Sequence, residues 1–127
     1  MAWIFIRNYE EEPWRGYAIG PPRVFRLIKS GVPWNEAAKR LFGGAGSFGN
    51  GAAMRVAPVG LYFDDLETLV EIACNQSITT YAHKLGIEGT VIQACAVALA
   101  VRSDRRRGIN PNDFIEELLG ITKKRCL

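Results

Sequence analysis

The sequence predicts an all-α fold, an irregular or orthogonal bundle of about five or six helices. Two observations carry this. Apolar residues recur at helical spacing in several segments bounded by residues that start or stop helices, and nowhere does a convincing strand pattern appear. The chain has 127 residues, 48% of them hydrophobic and 23% charged, which is the balance of one soluble globular domain, 1–127, with a packed core.

Residues 1–22 mix Trp3, Phe5, Tyr9, Trp14 and Tyr17 with Pro13, Gly16, Gly20, Pro21 and Pro22, and read as an irregular N-terminal arm. The core then runs over 23–127. Arg23 to Ser30 sets Val24, Leu27 and Ile28 on one helical face, with Gly31 as the residue that ends the helix. Pro33 and Trp34 open a second short helix through Leu41, with Ala37, Ala38 and Leu41 as its apolar stripe. Gly43 and Gly44 stop it. Asn50 is placed to cap a helix beginning GAAMRVA, which Pro58 kinks or ends.

Asp64 and Asp65 start a longer helix in which Leu66, Leu69, Val70 and Ala73 recur behind an acidic first turn. Residues 88–102, EGTVIQACAVALAVR, are apolar on nearly every face and predict a core helix surrounded by others. Asn110-Pro111 caps a last helix, with Phe114, Ile115, Leu118 and Leu119 inward and Gly120 at its end.

Composition excludes several classes. The net charge of +3 is concentrated in Arg102–Arg107 and Lys123–Arg125, short runs that read as solvated faces rather than a nucleic-acid stripe. Cys74, Cys95 and Cys126 are odd in number and far apart, which fits buried thiols of a reducing, cytoplasmic compartment better than a metal knuckle or a disulfide scaffold. The opening MAWIFIRNYEEE lacks a basic n-region and a cleavage site, so no signal peptide is expected. The longest other apolar run, Val91–Val101, falls short of the roughly 20 residues of a bilayer span, so no membrane span is expected.

The stretch GGAGSFGNGAAMRVAP, residues 43–58, raises the functional question. Gly44, Gly46 and Gly49 spell G-x-G-x-x-G, and Asp64 follows Gly44 by 20 residues, the spacing of a dinucleotide fingerprint. That fingerprint needs a strand before the glycines, and here a helix precedes them. An oxidoreductase reading therefore rests on spacing alone, and no G-K-[ST] follows to make a P-loop. Two readings stay open. The glycines hold phosphate against free backbone amides, or they only turn a corner between helices.

A resemblance bears on this. The stretch RGYAIGPPRVFRLIKSGVPWNEAAKRLFGGAGSFGNGAAMRVAPVGLYF, with SITTYAHKLGIEGTVIQACAVALA after it, resembles the central part of the ADP-ribosylglycohydrolase family, from about Trp14 to Leu119. The resemblance implies an all-α fold, hydrolysis of glycosidic bonds to ADP-ribose, and assistance by two Mg²⁺ ions. It implies that Gly46, Ser47, Gly49, Asn50 and Gly51 lie against ADP-ribose, with backbone amides at the diphosphate and Asn50 near the ribose. Phe48 stands where an aromatic stacks on adenine. Thr80 to Gly86 resembles the family's T-H-x-H-x-L-G stretch, His83 matching the second histidine and Tyr81 replacing the first.

Family members are more than twice this length, and their metal-binding T-D-D-T-like and D-x-D-T-like motifs have no counterpart in this chain. Asp64-Asp65 fits a helix start and is no metal ligand on this reading. The expectation is a truncated ADP-ribosylglycohydrolase-like protein with part of the ligand loop, and with no catalytic or metal-ligating residue of its own. Its expected partners are ADP-ribose or an ADP-ribosylated substrate, together with a second copy or a complementing chain. The competing reading is a non-catalytic, oligomerising helical module, or one half of a split hydrolase.

Overall fold

The computed structural model describes residues 1–104 and 106–123. Arg105, Lys124, Arg125 and Cys126, named above in the basic runs and the cysteine count, lie outside the described residues. Among the described residues there are eight α-helices and no strand. They are α1 (Ala2–Glu11), α2 (Gly20–Lys29), α3 (Trp34–Ala37), α4 (Gly51–Arg55), α5 (Ala57–Tyr62), α6 (Leu66–Ile78), α7 (Lys84–Arg102) and α8 (Pro111–Lys123).

The N-terminal arm is a correction, because residues 2–11 are helical. Ala2, Phe5, Ile6 and Tyr9 recur at helical spacing, and Ala2 and Ile6 are buried with Phe5 and Tyr9 packed beside them. Only the stretch from Glu12 to Ile19 is irregular, and Tyr17 folds back edge-on to Tyr9 with ring centroids 5.0 Å apart. The second helix likewise starts earlier than expected. Pro21 and Pro22 occupy its first turn, where the missing N–H groups have no helical partner to lose. α1, α2 and α3 close one apolar cluster around Val24, Phe25, Ile28, Ala37 and Ala38. After α3 the expected helix tightens into a 3-10 turn at Ala38–Arg40.

The second cluster is built on α7, which packs against α4, α5, α6 and α8. Val56, Leu69, Ala73, Val91, Ala94 and Cys95 are fully buried there. Asp65 caps α6, its carboxylate accepting from the Thr68 amide at 2.8 Å. Pro58 divides the helix after the glycine loop into α4 and α5, as its ring requires. Asn50 sits at the start of α4, but its side chain makes no capping bond.

α7 begins at Lys84, one turn before the expected 88, because the His83 ring caps it by accepting from the Leu85 amide at 3.2 Å. Its 19 residues are long and apolar enough, by length and composition, to cross a membrane, whereas Val91–Val101 alone is not. The helices packed around it identify it as the core helix of this cluster. α8 also departs from expectation: it passes through Gly120, and Ile115 and Leu119 are exposed while Phe114 and Leu118 are half-buried.

Candidate functional site

The glycine loop is wound by its own backbone. The amides of Gly44 and Gly46 donate to the Leu41 carbonyl at 3.1 and 3.0 Å, and that of Ala45 to Phe42 at 3.4 Å. Gly43, Gly44 and Gly46 adopt φ of +70°, +93° and +71°, a region that a side chain makes costly. Even Phe42 is drawn in, at φ +52°.

From Gly46 onward the loop lies against the corner that precedes α7. A Cβ on Gly46 would meet the His83 nitrogen at 2.8 Å and the Ala82 carbonyl carbon at 2.9 Å. One on Gly49 would strike the Tyr81 ring at 2.9 Å, and one on Gly51 would strike the Tyr81 hydroxyl. On the other side Gly86 admits the Ser47 carbonyl and Phe48 Cα, and the His83 amide donates to Ser47 O at 3.3 Å. The hollows left by three glycines are therefore occupied by residues 81–83.

Beside this corner a cleft of about 420 Å³ opens next to the N-terminal apolar cluster, which lends it Phe5 and Phe25. Phe5 and Tyr17 come to it from the N-terminal part, and Asn50, Gly51, Arg55 and Tyr81 from the loop side. Arg55 is its central polar group. Nε donates to Gln76 Oε1 at 2.7 Å, and Nη2 to the Gln76 carbonyl at 2.7 Å and Thr80 Oγ1 at 2.8 Å. Its plane lies over the Phe5 ring, 4.5 Å from the centroid, and 5.9 Å from that of Tyr81. Gln76 is in turn held by donating to the Ala52 carbonyl at 3.2 Å. Burial pushes the guanidinium down to about 10, with the charge interaction with Tyr81 pulling the other way.

Of the eight residues nominated from sequence, the cleft brings together Asn50, Gly51 and Tyr81. Gly46, Ser47, Phe48, Gly49 and His83 do not line it. Phe48 is 71% exposed and meets the His83 ring edge-on at 5.3 Å. Arg55 and Thr80 also line the cleft and Gln76 supports Arg55 from behind it, and sequence reasoning nominated none of the three as ligand-binding. Arg55 had a signal: it is the only charged residue between Phe42 and Phe63.

A pair of divalent cations needs several carboxylate oxygens converging on one spot. Among the described residues, no three of His, Cys, Asp and Glu gather where they would hold a metal ion. The donor set present does not fit the metal pair implied by the resemblance. A second cleft, of about 330 Å³ between Trp3, Trp34 and Ile72, has no charged side chain among its described lining residues.

Fold and site together define an all-helical protein with a cationic, aromatic-walled cleft set against a glycine loop. The chain belongs to the ADP-ribosylglycohydrolase family, whose model matches residues 1–125 and so takes in α1 as well. It is 36% identical over 121 residues to the ADP-ribosylhydrolase ARH3 of Gallus gallus, covering 94% of this chain and 32% of that protein. The ARH3 proteins of Bos taurus and Homo sapiens are 37% and 34% identical over 122 residues, again covering 94% of this chain and 32% of theirs. The chain spans about a third of the length of these curated relatives.

Proposed function

We propose that these 127 residues form the ADP-ribose-binding part of an ADP-ribosylglycohydrolase-like protein, taking ADP-ribose or the ADP-ribosyl group of a modified substrate. The observation that carries this reading is the meeting of Asn50, Gly51 and Tyr81 with Arg55 in one cleft. Its volume falls within the range of small-molecule sites, and it offers aromatic walls with a few polar groups, the usual make-up of such sites. The exposed Phe48 ring is the platform for adenine, and Asn50 serves the ribose. Mg²⁺ and hydrolysis belong to the part of the family's length that this chain does not span.

Titration calorimetry with ADP-ribose, with and without Mg²⁺, tests this. The expected result is binding that ignores Mg²⁺, with no release of ADP-ribose from a modified protein. Absence of binding overturns the ligand assignment, and Mg²⁺-dependent turnover overturns the separation of binding from chemistry.

A second reading, association with another copy or a complementing chain, is supported by Trp3 and Ile4 on α1 and Leu61 and Tyr62 on α5, all more than half exposed. Sedimentation velocity decides it, since a monomer at all concentrations removes self-association.

A further inference from the structure

The sequence of α7 is that of a helix covered on every side, and the described residues cover only part of it. Thr90, Val91, Ala94, Cys95, Ala98 and Leu99 are buried where α7 packs on its neighbours. Another face stays open. Leu85, Gly89, Ile92, Ala96 and Ala100 follow one another at steps of four, three, four and four residues, the repeat of one helical face. Leu85 is 64% and Ile92 40% exposed, Ala100 is exposed, and Gly89 and Ala96 are half-buried. The face runs for about 22 Å along the helix, with no polar side chain among these five. Lys84 and Glu88 at its start pair with each other at 3.8 Å, so the face itself presents no free charge.

Gly89 specifies what kind of surface fits there. A glycine inside a helix costs about 1 kcal/mol relative to alanine. Nothing among the described residues requires one at this position, because a Cβ built on Gly89 meets no atom within 4 Å. Gly60 shows what such a glycine does elsewhere in this fold. A Cβ on it would lie 2.5 Å from the Ala94 carbonyl oxygen, because the backbone of α5 crosses α7 closely. Gly89, with Ala96 and Ala100 beyond it, leaves the same room for a crossing backbone, and Leu85 and Ile92 stand beside it as ridges. A lipid surface calls for bulky side chains at these positions rather than glycine and alanine. The occupant is therefore a helix.

The length of the relatives points to its source. The match takes in 94% of this chain but 32% of the Gallus gallus ARH3, so about two thirds of that protein has no counterpart here. A second copy fits less well. Two such faces paired antiparallel, with Gly89 against Ala96 of the other copy, put the axis between Ile92 and Gln93 and draw two amide side chains into an apolar contact. We propose that this face of α7 is the seat of a helix from a polypeptide carrying the part of the family's length that this chain does not span, its backbone crossing α7 at Gly89. The proposal deepens the complementing-chain reading above and does not depend on ADP-ribose binding. Gly86, the residue after Leu85, touches the Ser47 carbonyl and Phe48 Cα, so the docked helix borders the glycine loop.

The test is sedimentation velocity on the 127-residue chain, alone and mixed with a polypeptide made of the Gallus gallus ARH3 residues outside the 121 matched, using wild type, Gly89→Leu and Leu85→Glu. Wild type is expected to form a one-to-one complex, and each variant to weaken it by at least about tenfold. Gly89→Leu is at the same time expected to keep or raise the urea midpoint of the chain alone, since leucine is the better helix former and meets open space. A role inside the chain would not produce that split. If both variants form the complex as tightly as wild type, the seat on α7 falls while the complementing-chain reading stands. If wild type forms no complex, both fall. Self-association of the chain alone that Gly89→Leu abolishes overturns the proposal in favour of a second copy. Where the ARH3 polypeptide is insoluble by itself, it is co-expressed with each chain. Soluble recovery with wild type alone is then the expected result, and recovery with none or with all three equally overturns the proposal.

Discussion

Replacing Gly46 and Gly43 separately by alanine distinguishes the two reasons for a glycine in the loop. The two residues share one backbone conformation, φ +71° and +70°. Forcing an alanine into that region costs about 1–2 kcal/mol at either position. A methyl added at Gly43 has nothing within 4 Å of it, whereas one added at Gly46 lies 2.8 Å from the His83 nitrogen and 2.9 Å from the Ala82 carbonyl carbon. Both obstacles are backbone, and they belong to the corner that starts α7, so no side chain can swing aside. Overpacking of this kind adds about 1–3 kcal/mol. Gly43→Ala is therefore expected to lose about 1–2 kcal/mol and Gly46→Ala about 2–5 kcal/mol in total. The gain from a stiffer unfolded chain is common to both and cancels in the difference. Urea unfolding followed by tryptophan fluorescence and far-UV circular dichroism measures each loss. Equal midpoints for the two variants would refute the packing argument, leaving backbone conformation as the only reason for Gly46.

Asp65→Ala removes the cap of α6 and is expected to lower the urea midpoint by an amount equivalent to about 1 kcal/mol, with the slope unchanged. Gly60→Ala places a methyl 2.5 Å from the Ala94 carbonyl where α5 crosses α7, so overpacking of about 1–3 kcal/mol outweighs the roughly 1 kcal/mol gained in helix propensity. A raised melting temperature would contradict that geometry. Because burial pulls the Arg55 guanidinium down from its ordinary value to about 10, the unfolded chain binds more protons than the folded one above about pH 10. Arg55 therefore penalises folding fully below about pH 10, and the penalty is relieved as pH rises through that window. Urea unfolding of wild type and Arg55→Gln across that range reads this as a stability gap that shifts in favour of wild type above about pH 10. Arg15, Tyr17 and Tyr81 also face the cleft, so Tyr17→Phe and Tyr81→Phe serve as controls, and a gap that stays constant past about pH 10 refutes the burial argument for Arg55.

Much of the fold was legible because periodicity and stop signals act locally. The apolar spacing in α2, α6 and α7 and the break at Pro58 each follow from residues within a few positions of one another. α1 was not legible in the same way. Its buried stripe of Ala2, Phe5, Ile6 and Tyr9 is diluted by Trp3 and Ile4, which are equally apolar but exposed, and by the prolines and glycines that follow. Ile115 and Leu119 have the spacing of an inward face on α8, yet both are exposed. Periodicity tells which residues share a face, and only the neighbouring helices decide whether that face is covered.

The glycine loop exposes the same limit more sharply. Read alone, G-x-G-x-x-G leaves phosphate and corner as rival explanations. What fills the hollows of Gly49 and Gly51 is the ring of Tyr81, about thirty positions further along, so no local pattern contains the answer. Once that ring is seated the two explanations are no longer rivals. Tyr81 is both the residue that forbids side chains at Gly49 and Gly51 and a wall of the Arg55 cleft. A bulkier loop would push that wall outward and move the Tyr81 ring away from the guanidinium. The corner is thus the means by which the loop shapes the cleft.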